Sequence, residues 1–111
     1  SYTPNNYRLY LKLGQVYGRE KGNNAKALEN FKKALELSPG NIEALNKLGI
    51  IYSIQGQNEL AIKAFTEVIQ KEPDNANTML NLGITYNNIG ENTLGDAYIQ
   101  KAIDIDPSLK R

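Results

Sequence analysis

The 111 residues contain no cysteine and no histidine. Without thiols there is no disulfide, and without Cys and His the usual zinc and haem ligand sets are missing. The same absences remove the readiest nucleophile and the readiest general base. What remains is carboxylates scattered along polar faces, such as Glu29, Glu36 and Glu67. No catalytic residue, cofactor or metal is expected. Charge of one sign is also missing: 13 Lys and Arg against 12 Asp and Glu leave a formal net charge of +1. Such a chain has no global field to draw in nucleic acid or an anionic membrane. No apolar run approaches the ~20 residues of a membrane-spanning helix. The longest candidate, Leu48 to Ile54, is broken by Gly49, Tyr52 and Ser53. Neither a nucleic-acid partner nor membrane insertion is expected. The lack of cysteine suits reducing and oxidising compartments alike and does not locate the protein. No signal peptide is visible and the chain begins at Ser1 without Met, which points to a fragment of a larger protein.

What is present is enough for one modest domain, covering 1–111. With 41% hydrophobic and 23% charged residues, the chain is too apolar for a disordered tail. Its prolines mark an internal repeat. Pro39, Pro73 and Pro107 stand 34 residues apart (39 to 73, 73 to 107). The segments before them correspond: Phe31 to Pro39, Phe65 to Pro73, and Ile99 to Pro107. Upstream, Leu13-Gly14-x-x-Tyr17 returns as Leu48-Gly49-x-x-Tyr52 and Leu82-Gly83-x-x-Tyr86. One extra residue is expected in the first unit, between Tyr17 and Gly22. The units run over about 7–41, 42–75 and 76–109.

Each unit reads as two helices. Tyr10, Leu13, Gly14 and Tyr17 recur at i, i+3, i+4 and i+7, as do Leu45, Leu48, Gly49, Tyr52 and Met79, Leu82, Gly83, Tyr86. That spacing makes one stripe on a helix, unlike the alternation of a strand. A turn follows at Gly22-Asn-Asn24, Gly56-Gln-Asn58 and Gly90-Glu-Asn92. There Gly suits the helix C-terminus and Asn the next N-terminus. The second helices bury Ala27, Leu28, Phe31, Ala34 and Leu35, then Ala61, Ile62, Phe65, Val68 and Ile69, then Gly95, Ile99, Ala102 and Ile103. Proline ends each of them, because it lacks an N–H and restricts the residue before it. Gly14, Gly49 and Gly83 are expected where paired helices cross, with Ala27 and Ala61 opposite. Tyr17, Tyr52, Tyr86, Phe31 and Phe65 would fill the wedge between neighbouring pairs. Gly95, inside a helix, should cost about 1 kcal/mol relative to Ala and make the third unit the weakest.

The pattern resembles the tetratricopeptide repeat family. Its signature of aromatic-x-x-Leu-Gly-x-x-Tyr, Ala-x-x-x-Phe and Pro appears as Tyr10, Leu13, Gly14, Tyr17, Ala27, Phe31, Ala34 and Pro39. The second unit matches with Leu45, Leu48, Gly49, Tyr52, Ala61, Phe65 and Pro73. The third is looser, with Met79, Gly95 and Ile99 at signature positions. The resemblance covers about residues 6 to 107. It implies an all-α fold, a right-handed α-solenoid of three helix-turn-helix hairpins, acting as a protein-interaction scaffold.

Other motifs have plainer readings. Gly14, Gly18 and Gly22 form a G-x-x-x-G run, but its surroundings Gln15, Arg19, Glu20 and Lys21 are too polar for a membrane helix. The run does not match a phosphate loop either. Asp104-Ile-Asp106 lacks the Gly and closing Glu of a calcium loop and reads as a helix end. Helical-hairpin RNA readers share a similar period. The Leu-Gly-x-x-Tyr signature and the near-neutral charge stand against them.

In the family, the first helices line a concave surface on which peptides or helices lie. The resemblance implies groove-facing side chains off the core stripe. They are Arg8, Leu11, Lys12, Gln15 and Arg19 in the first unit, and Glu43, Asn46, Lys47, Ile50 and Ile54 in the second. The third offers Asn77, Leu80, Asn81, Ile84, Asn87 and Asn88. The family's clamp for chaperone carboxylates is missing, since Leu11, Gln15, Lys47, Asn77 and Asn81 occupy its positions. Only Asn81 fits the family's asparagine ladder, with Lys12 and Lys47 in the other places. The implied partner is an unidentified protein or peptide with some acidic character. The alternative is that these faces are merely solvated. The abundant asparagines, including Asn5-Asn6, Asn23-Asn24 and Asn87-Asn88, read either as compositional bias or as an amide-lined groove. A second function stays open: self-assembly into dimers or filaments through Leu94, Tyr98, Ile103 and Leu109, because no full polar capping helix follows Pro107.

Overall fold

The computed structural model describes residues 6–20 and 22–110. Asn5, Lys21 and the side chain of Glu20 lie outside the described residues. Six helices follow one another among the described residues: α1 (Tyr7–Glu20), α2 (Asn24–Leu37), α3 (Ile42–Ile54), α4 (Asn58–Lys71), α5 (Ala76–Asn88) and α6 (Asn92–Ile105). A short 3₁₀ turn, Pro107–Leu109, ends them, and no strand occurs among the described residues. The helices pair as α1–α2, α3–α4 and α5–α6, and the pairs stack through α2 on α3 and α4 on α5. The result is a solenoid 49 Å long and about half as wide, 25 by 23 Å.

Local chemistry explains where each helix begins and ends. Ser38, Glu72 and Asp106 precede the three prolines, and each caps a helix with nearly the same backbone: φ −134, −128 and −132. Proline excludes its predecessor from the helical region, so the chain turns at the same place in every unit. Asn41 and Asn75 then start α3 and α5, each accepting a bond from the backbone N–H three residues on, at 3.0 Å. Within the hairpins, Gly56 and Gly90 take positive φ, 78° and 86°, and the N–H groups of Gln57 and Glu91 return to the carbonyls of Tyr52 and Tyr86. In the first unit the same closing bond runs from Asn23 to Tyr17, one residue further, which accommodates the inserted residue.

Two turn expectations change. Asn58 and Asn92 do not cap α4 and α6; Gln57 and Glu91 stand at the caps, without side-chain bonds. Only in the first turn does an asparagine, Asn23, take that role, accepting from the Lys26 N–H. The left-handed glycine hands the chain to the helix one residue earlier than the asparagines.

The core follows the stripe. Phe31 and Phe65 are buried, lying over Gly14 and Gly49, where any β-carbon would collide with the ring. Ala27, Ala34, Ala61, Val68 and Ala102 are fully enclosed. Tyr17, Tyr52 and Tyr86 are half-buried against the core. Lys26 and Lys32 cover the Tyr17 and Tyr52 rings, 5.8 and 5.9 Å from their centres. Tyr86 instead stacks on Tyr98, with ring centres 5.8 Å apart and planes 7° from parallel. Gly95 is no lapse in an alanine position. Its β-carbon would meet the Gly83 carbonyl oxygen at 2.6 Å and the Asn87 side chain, so the third hairpin crosses backbone on backbone.

Candidate functional site

Helices α1, α3 and α5 form one wall: the Gln15 amide on α1 bonds Glu43 on α3, and hydroxyl groups join α3 to α5. The Thr78 hydroxyl donates to the Asn46 side-chain oxygen at 2.6 Å, and the Ser53 and Thr85 hydroxyls lie 3.4 Å apart. These threonines are enclosed, although the sequence stripe did not mark them. A second stripe would have found them. Ala44 and Ile51, then Thr78 and Thr85, stand seven residues apart at matching places, and this stripe faces the preceding hairpin.

Along this wall three cavities adjoin. The first, about 470 Å³, lies among Tyr7, Arg8, Leu11, Lys12, Gln15 and Glu43. The second, about 420 Å³, is bounded by Gln15, Gly18, Arg19, Lys47, Ile50 and Ile54, with Phe31 and Ile51 also lining it. The third, about 160 Å³, lies among Ser53, Phe65, Asn81, Ile84 and Thr85. Gln15 borders the first two, and Ile50 and Ile54 border the last two, so the floor is continuous from α1 to α5. Ile54 is 65% exposed, and Ile50 and Ile84 also face solvent. The nearby cations are Arg8, Lys12, Arg19 and Lys47. Among the described residues the ion pair is Lys33 with Glu36, away from this wall on α2, and neither Arg19 nor Lys47 forms one within that set.

The implied groove residues divide accordingly. Arg8, Lys12, Gln15, Lys47, Ile50, Ile54, Asn81 and Ile84 line the cavities. Leu11 borders the first but is only 7% exposed. It belongs to the core with Ala44 and Leu48, so it is floor and not a free contact. Gln15 is engaged, its amide donating to Glu43 at 2.7 Å across the first junction. Asn46 is engaged by Thr78. Asn77 and Asn88 are exposed but line none of the three cavities. Leu80 packs against the third core cluster, and Asn87 donates to Asp96 at 3.2 Å. Much of the asparagine therefore serves the fold: Asn23, Asn41 and Asn75 as caps, and Asn46 and Asn87 as bridges. Asp106 likewise caps the terminal 3₁₀ turn through Ser108. No group of His, Cys, Asp and Glu suited to a metal ion occurs among the described residues.

The face considered for self-assembly is partly consumed. Tyr98 stacks on Tyr86, Leu109 packs against Ala76, Met79 and Ala102, and Ile103 is half-buried. Leu94 remains exposed, as does Ile105.

Three stacked hairpins whose first helices share a clefted wall define a helical-repeat protein. The chain belongs to the tetratricopeptide repeat family: models described as tetratricopeptide repeat match residues 5–70 and 76–109. Solved structures agree. A crystal structure of MamA is 31% identical with a TM-score of 0.86, matching 94% of this chain and 60% of its own. MamA from Desulfovibrio magneticus RS-1 is 26% identical at a TM-score of 0.86, over 93% of this chain and 58% of that one. YrrB, described as a TPR protein with an unusual peptide-binding site, is 28% identical at 0.85, over 92% and 52%. The chain thus spans between half and two thirds of the length of these relatives. No curated protein matches it.

Proposed function

We propose that the chain is a non-catalytic scaffold that binds an extended or helical segment with acidic character along the wall of α1, α3 and α5. The observation that carries this reading is the continuous run of three cavities, with Ile50, Ile54 and Ile84 exposed beside Lys12, Arg19 and Lys47. Exposed aliphatic side chains in a concave, cation-rimmed cleft suit a partner that brings apolar anchors and carboxylates. Asn81 adds an amide that can donate and accept with peptide backbone. The peptide-binding site named for YrrB supports the same reading. The test is affinity capture with the wild type and a Lys12→Glu/Lys47→Glu variant. A partner held through the groove should be lost from the variant, whereas equal capture by both proteins sinks the reading.

End-to-end self-association is a second reading, and a specific observation favours it at the α1 end. Leu9 and Val16 are exposed, while the matching residues Ala44 and Ile51, and Thr78 and Thr85, are buried against the preceding hairpin. Leu94 and Ile105 stand exposed at the opposite end. Light scattering at several concentrations separates the readings: a chain that stays monomeric throughout removes the second.

A further inference from the structure

Gly18 has no structural duty that accounts for it. Gly14, Gly49, Gly83 and Gly95 each stand where a β-carbon would strike a ring or a carbonyl. The glycines of the turns need positive φ, but Gly18 is not among those that have it. A β-carbon on Gly18 would touch only the Ala27 β-carbon, at an ordinary 3.6 Å. Glycine within a helix is nonetheless unfavourable relative to alanine.

The two repeat junctions differ at this position, among others. The same positions build both cavities: Gly18, Arg19, Phe31 and Lys47 at the first, and Ser53, Ile54, Phe65 and Asn81 at the second. At the second junction the Ser53 side chain occupies the gap and meets Thr85, leaving about 160 Å³. At the first, Gly18 leaves it vacant, opposite Ile51, and about 420 Å³ remains. Arg19 and Lys47 stand at the edge of this larger space without an ion pair among the described residues, while Glu43 is held by Gln15. An apolar hollow of that size between two cations suits an aliphatic side chain flanked by carboxylates.

We infer that Gly18 opens a specificity pocket between the first two repeats, which takes an aliphatic anchor residue of an acidic peptide while Arg19 and Lys47 pair with its flanking carboxylates. This rests on the groove reading above and names what that groove selects. The pocket selects by shape and the rim by charge, so both must match.

The probes are three short fluorescent peptides on one Ser/Gln scaffold, with Asp-Leu-Asp, Asp-Ala-Asp or Lys-Leu-Lys at the centre. By anisotropy, the Asp-Leu-Asp peptide should bind wild type at least about tenfold more tightly than either control, as expected for filling an apolar pocket. Gly18→Leu should erase the leucine preference while keeping the helical circular dichroism. Should that variant fail to fold, Gly18→Ser, which copies the second junction, should reduce the preference instead. A leucine preference that survives in the folded variant overturns the pocket. Equal binding of the two acidic peptides, Asp-Leu-Asp and Asp-Ala-Asp, that Lys12→Glu/Lys47→Glu weakens leaves the groove and removes the pocket. No binding of any peptide at millimolar concentration removes both. Dimerisation of wild type that Gly18→Leu abolishes overturns the peptide in favour of a second copy as the occupant.

Discussion

A β-carbon on Gly83 would stand 2.6 Å from the carbonyl oxygen of Gly95 and 3.1 Å from the backbone nitrogen of Ile99. The third hairpin is therefore closed by backbone contact, whereas a phenylalanine ring lies over the crossing glycine in the first two. Gly95→Ala should lower stability. The gain of about 1 kcal/mol in helix propensity is opposed by overpacking that costs roughly 1–3 kcal/mol. Urea unfolding should show an earlier midpoint with an unchanged slope; a later midpoint would mean that α5 and α6 separate freely.

Gly18→Ala should act in the opposite direction. Its β-carbon meets only Ala27 at 3.6 Å, so the propensity term stands almost alone. The expected gain is a few tenths up to about 1 kcal/mol, smaller near a helix end. The same unfolding experiment checks it, and a loss would show that α1 and α2 approach more closely than the 3.6 Å contact implies.

Phe65→Ala should be the most damaging of these substitutions. The ring is 1% exposed and lies between Gly49 and the core that Ala61 and Leu82 share. Removing such a ring costs roughly 3–5 kcal/mol. That is a large share of the stability of a domain this small. Thermal unfolding by circular dichroism is the measurement. A shift within a degree or two of wild type would show that the second hairpin does not depend on it.

Asn75 and Asn92 both stand at helix starts, but only Asn75 caps. Its side chain accepts from the Thr78 N–H at 3.0 Å, and its amide donates to Glu72 at 2.9 Å. Asn75→Ala should cost about 1 kcal/mol, while Asn92→Ala, already inside α6, should change stability by only a few tenths. Equal losses would place the α6 cap on Asn92.

The Tyr86 hydroxyl is pushed above its ordinary value of 10.0, first by burial and then by Tyr98 and Glu91. The folded state therefore holds the neutral phenol more strongly than the unfolded chain does. The stability linked to this group is complete below the unfolded value, near 10, and is lost as pH rises through the higher folded one. Tyr86→Phe should flatten the alkaline fall of the melting temperature, and ultraviolet titration should show one fewer late-ionising tyrosine. An unchanged profile would place the raised phenol elsewhere.

How far the fold can be read from the chain differs by feature. The 34-residue proline spacing, the Leu-Gly-x-x-Tyr stripe and the turn glycines are local signals. They announce three helix pairs, because proline geometry and helical period act over a few residues. The groove was less legible. Ile50, Ile54 and Ile84 face the cleft as their place off the stripe implies. Leu11, equally off the stripe, is drawn into the core by Ala44, a small residue on the next hairpin. Gln15 and Asn46 look like free amides in the sequence and are engaged by Glu43 and Thr78 more than 25 positions away.

By itself the amino-acid sequence determined the repeat, its helices, the crossing glycines and the family. Each of these depends on residue type at fixed short spacing. Only the tertiary structure decided that the packing requires Gly95 but not Gly18, and that one junction is roomier than its neighbour. Those outcomes depend on distances between side chains of different hairpins. Spacing along the chain says which face a residue occupies, while the packing of neighbouring hairpins settles how much room is left there.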